Sequence, residues 1–139
     1  MKNFTFLFVL MLTLFVVNNQ SIFAQEKRLN SSPEAFRTFF SKFKTAVENS
    51  DKTAVASMTV FPFKYGFDAG DEGKMSKAQF VKRFNEIFGR SPKKFFTEKN
   101  PMFRGDSSSS YIISTEDAAH LIFVRDKSGF KFSAYIVEP

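Results

Sequence analysis

The chain is 139 residues long, with 20 Lys and Arg against 14 Asp and Glu, 21 Phe, no Trp and no Cys. That length holds one domain around one core and is too short for two. Without Cys there is no disulfide, thiolate metal site, Cys nucleophile or lipid-anchored Cys, and the basic excess is spread too widely to mark a polyanion-binding protein.

The chain starts with what reads as an export signal. Lys2 precedes the apolar run Phe4–Val17, which is followed by Asn18-Asn19-Gln20 and Ser21-Ile22-Phe23-Ala24. A charged n-region, an apolar h-region and a small residue at the cleavage point describe a secretory signal peptide. The run is 14 residues long, and a spanning helix needs about 20. Residues 1–24 are therefore expected to be removed, with no stable membrane anchor left behind. The expected location is a periplasm or the medium. The remaining 115 residues carry 19 basic and 14 acidic side chains and 16 Phe. Each Phe can bury on the order of 150–250 Å², so aromatic packing is expected to dominate the core.

Residues 25–31 read as a flexible leader, and 32–139 as a single α+β domain. Ser32-Pro33-Glu34 reads as a helix start, with Ser as N-cap, Pro in the first turn and an acid behind it. Phe36, Phe39, Phe40, Phe43 and Val47 then form one helical stripe, so a helix is predicted over Pro33–Glu48. Asn49-Ser50-Asp51 breaks it and caps a short helix over Lys52–Met58. Thr59–Tyr65 is rich in β-branched and aromatic residues and reads as a strand. Pro62 cannot donate to a ladder, so it must sit at an edge or a bulge.

Gly66–Gly73 reads as a loop. Ser76-x-x-Gln79 is a capping box with Met75 placed to staple onto Phe80. Phe80, Phe84, Ile87 and Phe88 make a second stripe, ended by Gly89 as C-terminal cap. In Ser91–Asp106 the pattern is weak, with Lys93–Thr97 as a strand start and Asn100-Pro101 as a turn. Tyr111–Thr115, Ala119–Arg125 and Phe130–Val137 then read as an antiparallel meander. In the last strand, alternation puts Phe130, Phe132, Ala134 and Ile136 on one face and Lys131, Ser133 and Tyr135 on the other.

This order resembles the α+β cone of the nuclear-transport-factor-2-like (cystatin-like) superfamily, and more closely small exported bacterial proteins of that type. The residues that carry the likeness are Phe36–Val47, Asn49-Ser50-Asp51-Lys52, Val60-Phe61-Pro62-Phe63, Ser76–Phe88 and Tyr135-Ile136-Val137. The resemblance implies a curved antiparallel sheet of about four to six strands wrapped around the helices. It also implies a pocket at the open end of the cone and, often, a homodimer. The superfamily holds isomerases, dehydratases, binding proteins and assembly modules, so function does not follow from the fold.

His120 is the single His. On a strand it shares a face with Ile122 and Val124. On the concave side of a sheet it could act as a base, with Asp68 or Asp117 orienting it. Asp68, Asp71 and Glu72 lie close in sequence but lack calcium-loop spacing, so neither metal nor cofactor is expected. Next to that loop, Tyr65 and Phe67 could line a cone mouth with Tyr111 and His120.

Lys74, Lys77, Lys82, Arg83, Arg90, Lys93, Lys94 and Lys99 gather charge around the second long helix. The Phe residues between them are at core spacing, so nucleic acid is not the expected partner. Arg104-Gly105-Asp106-Ser107 spells a tripeptide of adhesion ligands, a match too short to carry weight.

The leading reading is a non-catalytic exported domain that binds a small apolar ligand or a protein partner at the cone mouth through Tyr65, Phe67, Tyr111 and His120. The alternatives are an isomerase or dehydratase using His120, and an envelope inhibitor or interaction module using the basic helix at Lys82 and Arg83.

Overall fold

A computed structural model describes residues 32–67, 70–99, 102–107 and 110–138. The expected signal peptide and leader, and Asp68, lie outside the described residues. All described elements fall in the unit Pro33–Pro139.

Helix α1 spans Glu34–Glu48 and buries Phe36, Phe40, Phe43, Ala46 and Val47. It starts at Glu34 because Pro33 is extended, at φ −53° and ψ 140°, and takes the cap position itself. The Pro33 carbonyl accepts from the N–H groups of Phe36 and Arg37. Ser32 is therefore not the cap, and no side chain serves as one. Helix α2, Lys52–Ser57, is capped as expected by Asp51, whose carboxylate accepts from the Ala54 N–H at 2.9 Å.

Strand β1, Thr59–Gly66, pairs with β2, Glu72–Met75, to form a hairpin. This second strand occupies part of what the sequence presents as a Gly-rich loop. Only Met75 of its four residues is buried, so its apolar signal is faint. Helix α3, Lys77–Lys82, has the predicted capping box in full. The Ser76 N–H donates to Gln79 Oε1 at 2.8 Å, and the Gln79 N–H donates to Ser76 Oγ at 3.3 Å. The helix breaks at Arg83 and resumes as α4, Phe84–Phe88, where Gly89 ends it at φ +76°. A side chain is strained at that φ, so glycine suits the position.

Lys93–Thr97 is helical, not a strand start. Ser91-Pro92 opens a 3₁₀ turn over Pro92–Lys94, and α5 follows over Phe95–Glu98. Phe95 packs edge-on against Phe88 at 5.3 Å, and Phe96 against Phe40 at 5.8 Å. Burying two adjacent rings on different neighbours overrides their β propensity. Strands β3 (Met102–Ser107), β4 (Ser110–Ser114), β5 (Ala119–Asp126) and β6 (Gly129–Val137) complete the molecule.

The six strands lie in the order β2-β1-β6-β5-β4-β3, all antiparallel except β1 on β6. The sheet is thus mixed, because the chain re-enters at its middle after crossing the helices. Pro62 sits where the β1/β6 register shifts, between Thr59 and Lys64, which places it in an irregular stretch as its missing N–H requires. A second shift, between Ile122 and Phe123 of β5, leaves Ser133 of β6 without a cross-strand partner. This bulge corrects the predicted alternation. Phe132 and Tyr135 both face the helices, while Ala134 and Ile136 turn to the other side, because one extra residue reverses the parity of all that follow.

Candidate functional site

The side of the sheet toward the helices is filled by rings. Phe132 has ring neighbours Phe43 at 5.0 Å, Phe63 at 4.8 Å and Phe123 at 5.4 Å. Phe36, Phe43, Phe63, Phe80, Phe84, Phe88, Phe123 and Phe132 are all fully buried. Their centroid spacings of about 4.5–7 Å are those of favourable aromatic contact.

Strand register orders the inner face into rows. Gly73, Tyr65, Tyr135, Leu121, Ile113 and Phe103 form one row across all six strands. Tyr111, Phe123 and Phe132 lie in the next. Tyr65 and Phe67 come together, with centroids 5.2 Å apart, and Phe67 reaches the Tyr135 ring at 5.8 Å. Tyr111 does not join them. It stacks on Phe36 at 4.2 Å and 16° and belongs to the packed interior.

Arg83 organises the Tyr65 cluster, a role the sequence did not reveal because the helix was expected to run through it unbroken. Its guanidinium carbon lies 4.6 Å from the Tyr65 centroid and 5.1 Å from that of Phe67. Its Nη2 and Nε meet Glu86 Oε2 at 2.6 and 2.7 Å, and Nη2 is 3.6 Å from Asp71 Oδ2. Hydrogen bonding to Glu86 first, then to Tyr65, holds its pKa above the ordinary arginine value. Gly73 makes room for this arrangement, since a Cβ there would stand 3.3 Å from the Tyr65 hydroxyl. Tyr135 is pushed up to about 12, first by burial and then by the negative charge of Asp117. Asp117 is itself paired with Lys99.

His120 is elsewhere. It alternates with Ala119 and Leu121, which are buried, and so sits on the face turned from the helices, beside Ile122. Its Nδ1 is 2.7 Å from Ser114 Oγ. Nε2 is 2.9 Å from Glu138 Oε1, yet it is buried and makes no aligned hydrogen bond. This carboxylate supplies charge proximity without a directed bond. Asp117, expected to orient the ring, pairs instead with Lys99, and Asp68 lies outside the described residues. Ser114 is 1% exposed, which denies it the approach a nucleophile needs.

Among the described residues, no three acidic or His side chains gather where they could hold a metal, and no helix is long and apolar enough to cross a membrane. One open cavity of about 330 Å³ lies along α1 and the turn after it, lined by Ser41, Lys42, Thr45, Ala46, Asn49 and Asp51. Its lining comes from a single stretch of chain along one helix and the turn after it, so it is not a pocket between helices and sheet.

No family model and no curated protein matches the chain. It is similar to two solved structures. One is a protein of Shewanella frigidimarina described as a candidate ketosteroid isomerase, with 9% identity, TM-score 0.44, and coverage of 76% of this chain and 95% of that one. The other is an NTF2-like protein with a cystatin-like fold from Novosphingobium aromaticivorans, with 12% identity, TM-score 0.44, and coverage of 82% and 85%. The α+β class itself rests on the sheet order and pairing described above.

Proposed function

We propose that this chain is an exported, non-catalytic interaction domain that engages a protein partner at its surface. One observation carries the reading: the space between helices and sheet is occupied by phenylalanine, and the single His lies on the opposite face. A cone enzyme needs a titratable pair inside an open cavity, and a carrier of apolar ligands needs the cavity alone. Here the buried rings leave the mouth to Tyr65, Phe67 and Arg83, which satisfy one another. The interaction reading also changes its expected cation. Arg83 is committed to Glu86 and the two rings, so Lys77 and Lys82, both exposed, remain the available charges on that helix.

The test is titration of the purified protein with Nile red, a neutral apolar dye, followed by emission and by thermal unfolding. Surface interaction predicts no saturable blue-shifted emission and no rise in Tm. Stoichiometric binding with a raised Tm overturns it in favour of an internal ligand. Export is tested separately by expressing residues 1–139 in a bacterial host and sequencing the N-terminus. Recovery from the periplasm beginning at Gln25 is expected, and retention in the cytoplasm with Met1 intact rejects it.

A further inference from the structure

We infer that the face of the sheet turned from the helices is a docking surface for an acidic amphipathic helix of a partner protein. This rests on the interaction reading above and names its surface. Strand register assembles the face. Lys74, Lys64, Ala134, Ile122 and Ile112 lie opposite one another across β2, β1, β6, β5 and β4. Ile136 and His120 flank this row in the next one, and Val124 continues β5 beyond Ile122. The Ser133 bulge brings Ala134 and Ile136 onto this side. The isoleucines and Val124 are half-buried, while the two lysines are exposed. The face is therefore an aliphatic strip that ends in two cations.

Charge on this face calls for an acidic occupant. Lys64 and Lys74 are direct cross-strand neighbours, and like charges so placed repel. Neither has an ion-pair partner among the described residues. A lysine on an edge strand discourages sheet extension, which explains Lys74 on β2 but not Lys64 on the next strand inward.

A helix fits the dimensions. Strands are about 4.8 Å apart, so Lys64 to Ile112 spans roughly 14 Å, the length of a helix of about ten residues. Such a helix would cross Ala134, which is itself buried, lay aliphatic side chains along Ile122 and Ile112, and place its acids over the lysines. The chain's own apolar run, Phe4–Val17, follows Lys2 and holds no acid, so it lacks the complementary charge.

The experiment uses fluorescein-labelled synthetic helices of about 18 residues, long enough to hold helicity. One has leucines on one face flanked by glutamates, and its counterpart carries lysines in place of the glutamates. Anisotropy titration of the purified protein should show saturable binding of the acidic peptide, with the basic one weaker by about tenfold or more. The double variant Lys64→Glu/Lys74→Glu should reverse that preference. Ile122→Asn should weaken both peptides, with a thermal melt checking that it remains folded. No binding, equal binding of both peptides or an unchanged preference in the charge-reversed variant overturns the inference. Binding to vesicles containing phosphatidylglycerol, or self-association abolished by Lys64→Glu, would instead give the face to lipid or to a second copy. Nile red uptake would overturn the functional reading without touching the peptide result, so the two failures are distinct.

Discussion

Two clusters of rings, both on the inner side of the sheet, are held by different physics. Around Phe132 the rings touch only other apolar groups, and each has several neighbours. Around Tyr65 the rings are half-exposed and converge on one guanidinium, which two carboxylates also claim. The first cluster gains stability from removal of apolar surface from water, and no single partner is indispensable to its geometry. The second depends on directional contacts to one residue and gains little net free energy. Stability and polar chemistry are thus segregated in this molecule. On the proposed reading, a partner meets the polar margins and outer face of the sheet and not its packed interior.

The sharpest way to sharpen that contrast is Phe132→Ala. The ring is fully buried, so its loss should cost about 3–5 kcal/mol. Urea denaturation should show a lower midpoint with an unchanged slope. A loss below about 1 kcal/mol would mean the interior is loosely packed, and would reopen the case for an internal ligand.

Alkaline pH probes the boundary between the two clusters. Tyr135 is raised to about 12 from 10.0 in the folded protein, chiefly by burial. Folding therefore favours the neutral phenol. Its contribution is complete below pH 10 and is lost as pH rises toward 12. Stability should fall more steeply across this window in the wild type than in Tyr135→Phe, as measured by urea melts at each pH. Parallel curves would place the Tyr135 hydroxyl in water.

Helix α3 gives the next effect. Ser76→Ala removes the acceptor for the Gln79 N–H and should cost about 1 kcal/mol. This box was legible in the sequence because Ser76 and Gln79 act locally and need no tertiary partner. The phenylalanine stripes of α1 and α4 were legible for a similar reason, since helical period alone puts Phe36, Phe43, Phe84 and Phe88 on core faces. What could not be read depended on neighbours distant in sequence. Strand β2 forms because β1 offers an edge, although Glu72-Gly73-Lys74 holds no good strand former. Phe95-Phe96 is helical because Phe88 and Phe40 accept the two rings from different sides. Ser133 leaves no mark in the sequence, yet it decides which way Tyr135, Ala134 and Ile136 point. For His120, strand parity correctly grouped it with Ile122 and Val124. Which of the two faces the helices would cover was a tertiary fact.

The smallest effect is the most diagnostic of the Tyr65 cluster. Arg83→Lys keeps the positive charge and much of the chain length but loses the planar fork. If Arg83 acts as a simple counter-charge to Glu86 and Asp71, lysine should substitute fully. The geometry argues otherwise, because Nε and Nη2 converge on one Glu86 oxygen while the guanidinium carbon lies close to the Tyr65 and Phe67 ring centroids. A compact ammonium cannot do both. The side chain is about a quarter exposed, so the expected loss is only about 0.5–1 kcal/mol. A double-mutant cycle with Tyr65→Leu isolates the whole Tyr65 contact, ring and hydroxyl together, and a cycle with Tyr65→Phe isolates the hydroxyl alone. Coupling of about 0.5 kcal/mol in the first and none in the second would establish the ring as the cluster's organising contact. Zero coupling would reduce the cluster to a surface ion pair, and the margin of the sheet would then owe its shape to Gly73 and backbone register alone.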